Sequence, residues 1–242
     1  MLILENRHAS ESVKQWVYRL LRQAIMTGRF KPGDPVTING LADSLRVSAM
    51  PVREALHRLV ADGALELLDN RRVRVPLVDA DRFDEILATR IALETVAAER
   101  ALPHINFVHL ARLQELDARC DAIYDAGDLE GGIAANFAFH RCLYEVNASA
   151  VMLPLIESLW LRLGPFMRLA SENLRVHYVI DRHAEALDAI KRKDVVALKA
   201  AITADIQDGA GHLGRTQFLQ AASASRQAAD SSEPSAVVSG LA

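Results

Sequence analysis

VYRLLRQAIMTGRFKPGDPVTINGLADSLRVSAMPVREALHRLVADGALEL, residues 17–67, decides the fold of the front of this chain. Starting just upstream, Val13, Trp16, Val17, Leu20, Leu21, Ala24 and Ile25 recur at the i, i+3, i+4, i+7 spacing of an amphipathic helix. The spacing predicts that helix over residues 11–27, stopped by Gly28. RFKPGDPV (29–36) reads as a Pro/Gly-rich turn. Thr37 then caps a short helix whose Leu41, Ala42 and Leu45 point inward. Arg46 and Val47 form a tight turn, and Ser48 caps a third helix running to Asp62, before Gly63. Pro51 is tolerated there because first-turn N–H groups have no intrahelical partner. Residues 64–68 and 73–75 are two short β candidates around the polar turn 69–72.

Helix, helix, tight turn, helix, β-ribbon is the order of a winged helix-turn-helix, assigned to residues 1–76. A linker follows over 77–81. The remainder reads as helices only, at about 82–102, 106–127, 129–147, 149–171, 174–192 and 194–213, separated by breakers such as Pro103, Gly127 and Asn147. Pro154 and Gly164-Pro165 are expected to kink the fourth of these. The expected fold class is therefore mostly α: a winged helix-turn-helix with a small β-ribbon, then an all-α bundle of about six helices over 82–214. Residues 215–242 are Ala/Ser-rich and aperiodic, and read as a disordered tail.

Half of the residues are hydrophobic and 24% are charged, enough apolar matter for a substantial core. No apolar run reaches the ~18–20 residues that span a bilayer, and the opening MLILENRHASE does not resemble a signal peptide. Cys120 and Cys142 have neither metal nor redox spacing and read as core residues in a reducing cytoplasm. Charge is unevenly divided. Residues 1–78 carry 12 Lys and Arg against 8 Asp and Glu, a net of +4, while the rest carries 16 against 23, a net of −7. A basic head on an acidic body suits a nucleic-acid binder whose body stays clear of the phosphates.

The third helix turns Val52, Ala55, Leu56, Leu59 and Val60 inward and presents Ala49, Met50, Arg53, His57 and Arg58 on its other face, beginning at Ser48. In helix-turn-helix proteins the start of this helix enters the major groove, where an arginine such as Arg53 reads guanine O6 and N7. Arg71, Arg72 and Arg74 sit on the wing, suited to phosphates or the minor groove. The alternative is that these arginines are simply a solvated face.

Further along, polar residues stand in the middle of apolar stripes. His183 lies among Val176, Val179, Ile180, Leu187 and Ile190; Asn136 and His140 among Ile133, Phe137, Phe139, Leu143 and Val146; Asp205 among Val195, Leu198, Ala201, Ile202 and Ile206. Burying such a group unsatisfied costs about 2–7 kcal/mol, so four of them aimed into one helical core suggest a shared polar site. A structural role, with each group satisfied by a nearby carbonyl, is the alternative. Arg90 and Glu94 likewise interrupt an apolar arc of Phe83, Ile86, Leu87 and Ala97, either as an i,i+4 ion pair or as a ligand clamp.

The run 17–67 resembles the DNA-binding domain of the GntR family of bacterial transcription regulators. The resemblance rests on Gly28, Pro32-Gly33, Leu41-Ala42, Val47-Ser48 and above all Pro51-Val52-Arg53-Glu54-Ala55-Leu56, with Leu59 and Gly63. It implies that Arg53 contacts DNA. Where the family often has Arg-Thr before the proline, this chain has Ala49-Met50; Arg46 stands at the turn glycine and Arg72 at the wing-tip glycine. The helical remainder, over about 80–213, resembles the FCD domain of the FadR branch of that family. Here the matching residues are 90–94 (RIALE), 136–141 (NFAFHR), and His183 with Ala189-Ile190 and Asp194.

By that resemblance Asn136, His140, His183 and Asp205 form a metal set, with Asp205 where a final histidine is usual and His212 as a possible substitute, and Arg90 clamps a ligand carboxylate beside Glu94. The implied cofactor is a divalent transition metal (Zn, Ni or Mn). The implied protein is a cytoplasmic homodimer that binds a double-stranded operator of palindromic half-sites, represses transcription, and responds to a small carboxylate. No membrane partner is expected. Two alternatives stand beside it: a metal-dependent hydrolase or lyase with a fused DNA-binding module, and a regulator with a metal-free core. No Gly-rich phosphate loop or nucleophile elbow supports the enzyme.

Overall fold

The computed structural model describes residues 6–77, 80–147, 149–177 and 182–211. The expected tail (215–242), His212, Val179 and Ile180 lie outside the described residues, as does the side chain of Val176.

The head is built from α1 (Val13–Met26), β1 (Pro35–Val36), α2 (Ile38–Leu45), α3 (Ala49–Ala61), β2 (Glu66–Leu67) and β3 (Val73–Arg74). Helix α1 starts in a reciprocal cap: the Ser12 hydroxyl accepts from the Gln15 N–H, and the Gln15 side chain accepts from the Ser12 N–H. Thr37 accepts from Gly40 N–H at the start of α2. Ser48 holds the N-cap position of α3 but makes no side-chain cap bond, contrary to expectation, so its hydroxyl does not serve the helix. Val17, Leu21, Ile25, Leu45, Val52, Leu56 and Leu59 close the head core. Fully burying a Leu or Val of this kind stabilises by about 1.5–3 kcal/mol.

Two left-handed positions shape the head. Arg46, at φ 55°, ends α2 and makes the helix-turn-helix turn where glycine is the residue of least strain. On the wing, the left-handed residue is Arg71 at φ 62°, one position before the expected Arg72. The Arg71 N–H donates to the Leu68 carbonyl and the Leu68 N–H to the Arg72 carbonyl, leaving a three-residue loop with its left-handed residue last. The sheet has three strands rather than two, in order β1-β3-β2, all antiparallel, with Val36 opposite Val73 and Leu67 opposite Val73 on the other side. The stretch 29–36 read as turn alone because a two-residue strand is too short for a period; Pro35 is accommodated on an edge strand, where a donor can be spared.

Among the described residues, six helices make the body: α4 (Ala80–Ala101), α5 (Phe107–Asp125), α6 (Leu129–Glu145), α7 (Met152–His177), α8 (Arg182–Arg192) and α9 (Val195–Gly211), with a 3-10 turn at Leu102–His104. Asn106 and Asp128 cap α5 and α6 through their side chains. The break expected at 171–173 is not there: α7 continues through it to His177, and Pro165 lies inside the helix. Ser, Glu and Asn cost a helix only tenths of a kcal/mol each; lacking Gly or Pro, 171–173 does not end one. Val176 therefore belongs to α7 and not to the helix of His183.

Helix α7 also joins the two halves. Its Leu161 is buried in the head core, while Leu163 and Phe166 pack with Phe83 and Ile86 of α4. A Cβ at Gly164 would collide with the Ile25 carbonyl and the Met26 backbone, so glycine is required where α7 crosses the end of α1. Arg22–Glu157 (3.0 Å), Arg29–Glu130 and Arg162 Nε to the Asp62 carbonyl (3.1 Å) tie the halves at their edges.

Candidate functional site

Two sites emerge. On the head, α3 exposes Met50, Arg53 and His57, and Ser48 precedes them on the exposed side. Val52, Ala55, Leu56 and Leu59 are buried behind them. Glu54 pairs with Lys14 at 2.7 Å, so the one acidic residue among them is partly neutralised by α1. Arg71 and Arg72 are exposed at the wing tip. Two expected contacts sit differently. Arg58 lies over the Tyr18 ring at 3.9 Å, on the flank facing the body. Arg74 pairs with Glu66, its neighbour across the strands.

The body site is a buried polar cluster. His140 (1% exposed), His183 (6%) and Asp205 (8%) each offer a donor atom, and these atoms all lie within 4.8 Å of one another. His140 Nε2 is 2.8 Å from Asp205 Oδ2, and His183 Nε2 is 3.9 Å from Asp205 Oδ1. Asn136 joins them, its Oδ1 lying 3.1 Å from His183 Nε2. The four residues come from α6, α8 and α9, so only the assembled bundle makes the site.

Each imidazole is oriented from behind. His183 Nδ1 lies 3.0 Å from Asp117 Oδ1, which can only accept, so Nδ1 carries the hydrogen there. His140 Nδ1 lies 3.1 Å from the Tyr144 hydroxyl, which donates its own proton to Glu94 Oε2 at 3.0 Å. Burial first, then the Glu94 charge and hydrogen bond, hold the Tyr144 phenol far above its ordinary pKa, so that proton stays on the ring oxygen. His140 Nδ1 is then the donor to Tyr144. Both histidines thus turn Nε2 toward Asp205. Asp205 Oδ2 can only accept, so His140 Nε2 carries a hydrogen as well; a metal would take the place of that hydrogen, while the Nδ1 contacts behind hold the rings, as in outer-shell support of metal-ligating histidines. Burial alone would raise the Asp205 carboxyl. The neighbouring His140 charge and hydrogen bond, with His183 and Arg90, outweigh it and lower the pKa to about 2.

Glu94 is the hub behind the cluster. It is completely buried and accepts from Arg90 Nε (2.7 Å), Trp160 Nε1 (2.6 Å) and the Tyr144 hydroxyl (3.0 Å). Of the two expectations for Arg90 and Glu94, the i,i+4 pair is present. Both Glu94 oxygens are engaged by these donors, which fixes the Arg90, Trp160 and Tyr144 side chains around it.

Asp117, Tyr144 and Trp160 were missed by sequence reasoning. Asp117 gave the same signal as the others: it lies one turn from Leu113 and Cys120, within a buried stripe. Tyr144 is one turn beyond His140 and passes for a core aromatic. Nothing local marks Trp160.

The donor chemistry fits a divalent transition metal. Two imidazoles, a carboxylate held ionised and an amide oxygen converge from three helices, and both rings are fixed with Nδ1 outward.

Residues 13–75 match the model of bacterial regulatory proteins of the gntR family, and residues 85–208 match that of the FCD domain. The chain is 34% identical over 179 residues to the HTH-type transcriptional regulator McbR of Escherichia coli (strain K12), covering 72% of this chain and 80% of that one. It is similar to the solved structure of E. coli McbR/YncC, with a TM-score of 0.79 and 31% identity, over 86% of this chain and 99% of that one. It is also 21% identical over 209 residues to the HTH-type transcriptional repressor RspR of the same organism, spanning 86% of this chain and 92% of that one. These relatives are transcriptional regulators, which sets aside the fused hydrolase or lyase.

Proposed function

We propose, for a chain that belongs to the gntR family of bacterial regulatory proteins and carries its FCD domain, that the buried cluster of the body senses a small carboxylate and thereby controls how the head grips an operator. The chain is an HTH-type transcriptional regulator; its action as a repressor is our reading, supported by relatives such as RspR. The observation that carries the sensing is the convergence of His140, His183 and Asp205 within 4.8 Å in a buried site.

Arg53, Met50 and His57, with Ser48 at the helix start, supply the base-reading face; Arg71 and Arg72 supply the wing. Arg74, paired with Glu66, contributes less net charge, and Arg58 belongs to the flank beside the body. The protein works in the cytoplasm as a homodimer, so that two heads meet the half-sites of a palindromic operator. The domain assignment that goes with this is a DNA-binding head over 1–76, a linker over 77–81 and a sensing and dimerising body over 82–214.

In the body, Asn136, His140, His183 and Asp205 would hold a divalent transition metal such as Zn, Ni or Mn. When bound, it supplies a Lewis-acidic anchor for an effector carboxylate. Arg90, aimed by Glu94, adds a cationic partner for the same group. Tyr144 and Asp117 keep the imidazoles in the binding tautomer, and Trp160 closes one wall. The effector shifts the head's equilibrium only by its differential affinity for the two arrangements of the body.

A second reading, a metal-free core responding to an organic ligand alone, is favoured by the 2.8 Å contact that already closes His140 onto Asp205. Metal analysis of the purified protein separates the two. About one transition metal per chain is expected, lost in His140→Ala and in His183→Ala. Equal content in the double variant would end the metal reading. Footprinting DNA from upstream of its own gene, with and without candidate carboxylates, tests the regulator itself.

A further inference from the structure

Between head and body lies a cavity, distinct from the buried cluster. It is a cleft of about 610 Å³ walled by α1 and α3 on one side and α6 and α7 on the other. Met26, Ile133, Phe137 and Leu161 give it an apolar floor. Arginines from both halves border it. Arg22 of α1 and Arg141 of α6 share a single carboxylate, Glu157, at 3.0 and 3.3 Å, and Arg141 also reaches Glu145 at 2.8 Å. Arg58 of α3 lies over the Tyr18 ring, 3.9 Å from its centroid, and, among the described residues, has no carboxylate within ion-pair distance. Asp62, an acid of that wall, accepts from the Tyr18 hydroxyl at 2.7 Å. Among the cleft's lining residues, four arginines (Arg19, Arg22, Arg58 and Arg141) stand with two carboxylates, Asp62 and Glu157, above an apolar floor with an aromatic platform at one end; Arg19 and Arg141 have further partners, Glu11 and Glu145, outside the lining.

We propose that this cleft is a second effector site, for an amphipathic aromatic anion such as an aryl carboxylate or sulfonate, and that its occupancy is felt directly by the head. The ring of such a ligand lies against Phe137 and Leu161, and its anionic group meets Arg58 with Arg22 or Arg141. Because the cleft has one wall from each half, a ligand filling it favours one placement of the head over others.

The cleft is also joined to the buried cluster. Phe137 lines the cleft, whereas Asn136 and His140, on the same helix, face the cluster. Phe137 meets Trp160 edge-on with ring centroids 3.8 Å apart, and the Trp160 indole donates to Glu94. The two sites thus share one packed aromatic pair. The cleft site stands without the metal reading, since none of the cluster's ligands lines it.

The test uses 8-anilinonaphthalene-1-sulfonate on the full-length protein, with the uncharged N-phenyl-1-naphthylamine as the ring control. Fluorescence titration and equilibrium dialysis should give one saturable sulfonate site per chain. Binding of the uncharged ring should be at least tenfold weaker. Ser158→Trp, which fills the cleft, and Arg58→Gln, which removes its least-paired cation, should each weaken the sulfonate at least tenfold. His140→Ala with His183→Ala should leave it within twofold. Circular dichroism reports whether Ser158→Trp folds; if it does not, Arg58→Gln decides alone. Several equivalent sites, affinity within twofold in the folded cleft variants, or loss only in the double histidine variant would overturn the site. Saturating sulfonate should also change affinity for DNA from upstream of the chain's gene at least threefold. An unchanged affinity would overturn the link to the head.

Discussion

The head and the body solve the same packing problem with opposite materials. In the head, the caps and the wing turn are satisfied close by in the chain: Ser12 with Gln15, Thr37 with Gly40, and Leu68 with Arg71 and Arg72. In the body, the decisive contacts are remote. His140 meets Asp205 across 65 positions, His183 meets Asp117 across 66, and Trp160 meets Glu94 across 66. A surface that must present the same residues to DNA is well served by local, self-sufficient geometry. The body's core is built from groups that only the assembled bundle can satisfy, so its polar contacts and its fold stand together.

Four measurements would break or sharpen that contrast. The largest effect is expected at Glu94→Ala. It strips one buried acceptor from three donors and leaves the Arg90 charge unpaired, a loss of about 3–5 kcal/mol of stability by urea unfolding. A loss under about 1 kcal/mol would show that the body does not depend on its remote polar contacts. Next comes Arg53→Ala, expected to weaken operator binding by about 2 kcal/mol, some thirtyfold, with thermal stability unchanged; an equal drop in melting temperature would mean that Arg53 is structural.

The third measurement is acid titration of the metal-free protein. The Asp205 carboxyl is lowered from 3.8 in the unfolded chain to about 2 in the fold. Its contribution is therefore full above pH 3.8 and lost as pH falls through 2, amounting to no more than about 2 kcal/mol. Wild type should lose more stability than Asp205→Asn over that window; parallel curves would show that the His140–Asp205 contact does not stabilise the fold. Smallest is Arg46→Gly, which relieves a left-handed arginine and should raise stability by about 1 kcal/mol while leaving the metal content untouched. A destabilised variant would mean that the Arg46 side chain holds the turn.

The same contrast explains how much could be read in advance. Helix stripes and caps in the head follow a period, so α1, α2 and α3 were legible to within a residue or two. Strand β1 was not, because Pro35 and Val36 acquire meaning only opposite Val73 and Arg74. In the body, Asn136, His140, His183 and Asp205 stood out as polar residues on apolar faces, and their convergence was readable only as a suggestion. Their supports were harder. Tyr144 looks like any core aromatic until its hydroxyl is seen to donate to Glu94, and Trp160 reaches Glu94 from a helix whose end lay several residues beyond the expected break. Arg58 fitted a DNA face by helical phase; that its guanidinium lies over the Tyr18 ring of α1, 40 positions earlier, could not be read from that phase.

Gly164 carries a consequence for anyone cutting this protein into parts. The two family matches part between residues 75 and 85, but the mechanical boundary does not fall there. Leu161 fills the head core from α7, and α1 ends against a bare glycine backbone on that same helix. A fragment ending at residue 76 would lose its plug and display a greasy socket, whereas grafting the head onto a body with a bulkier residue at the crossing would jack the two apart. The severable unit is the head together with the stretch of α7 that it grips, and chimeras should be drawn along that seam.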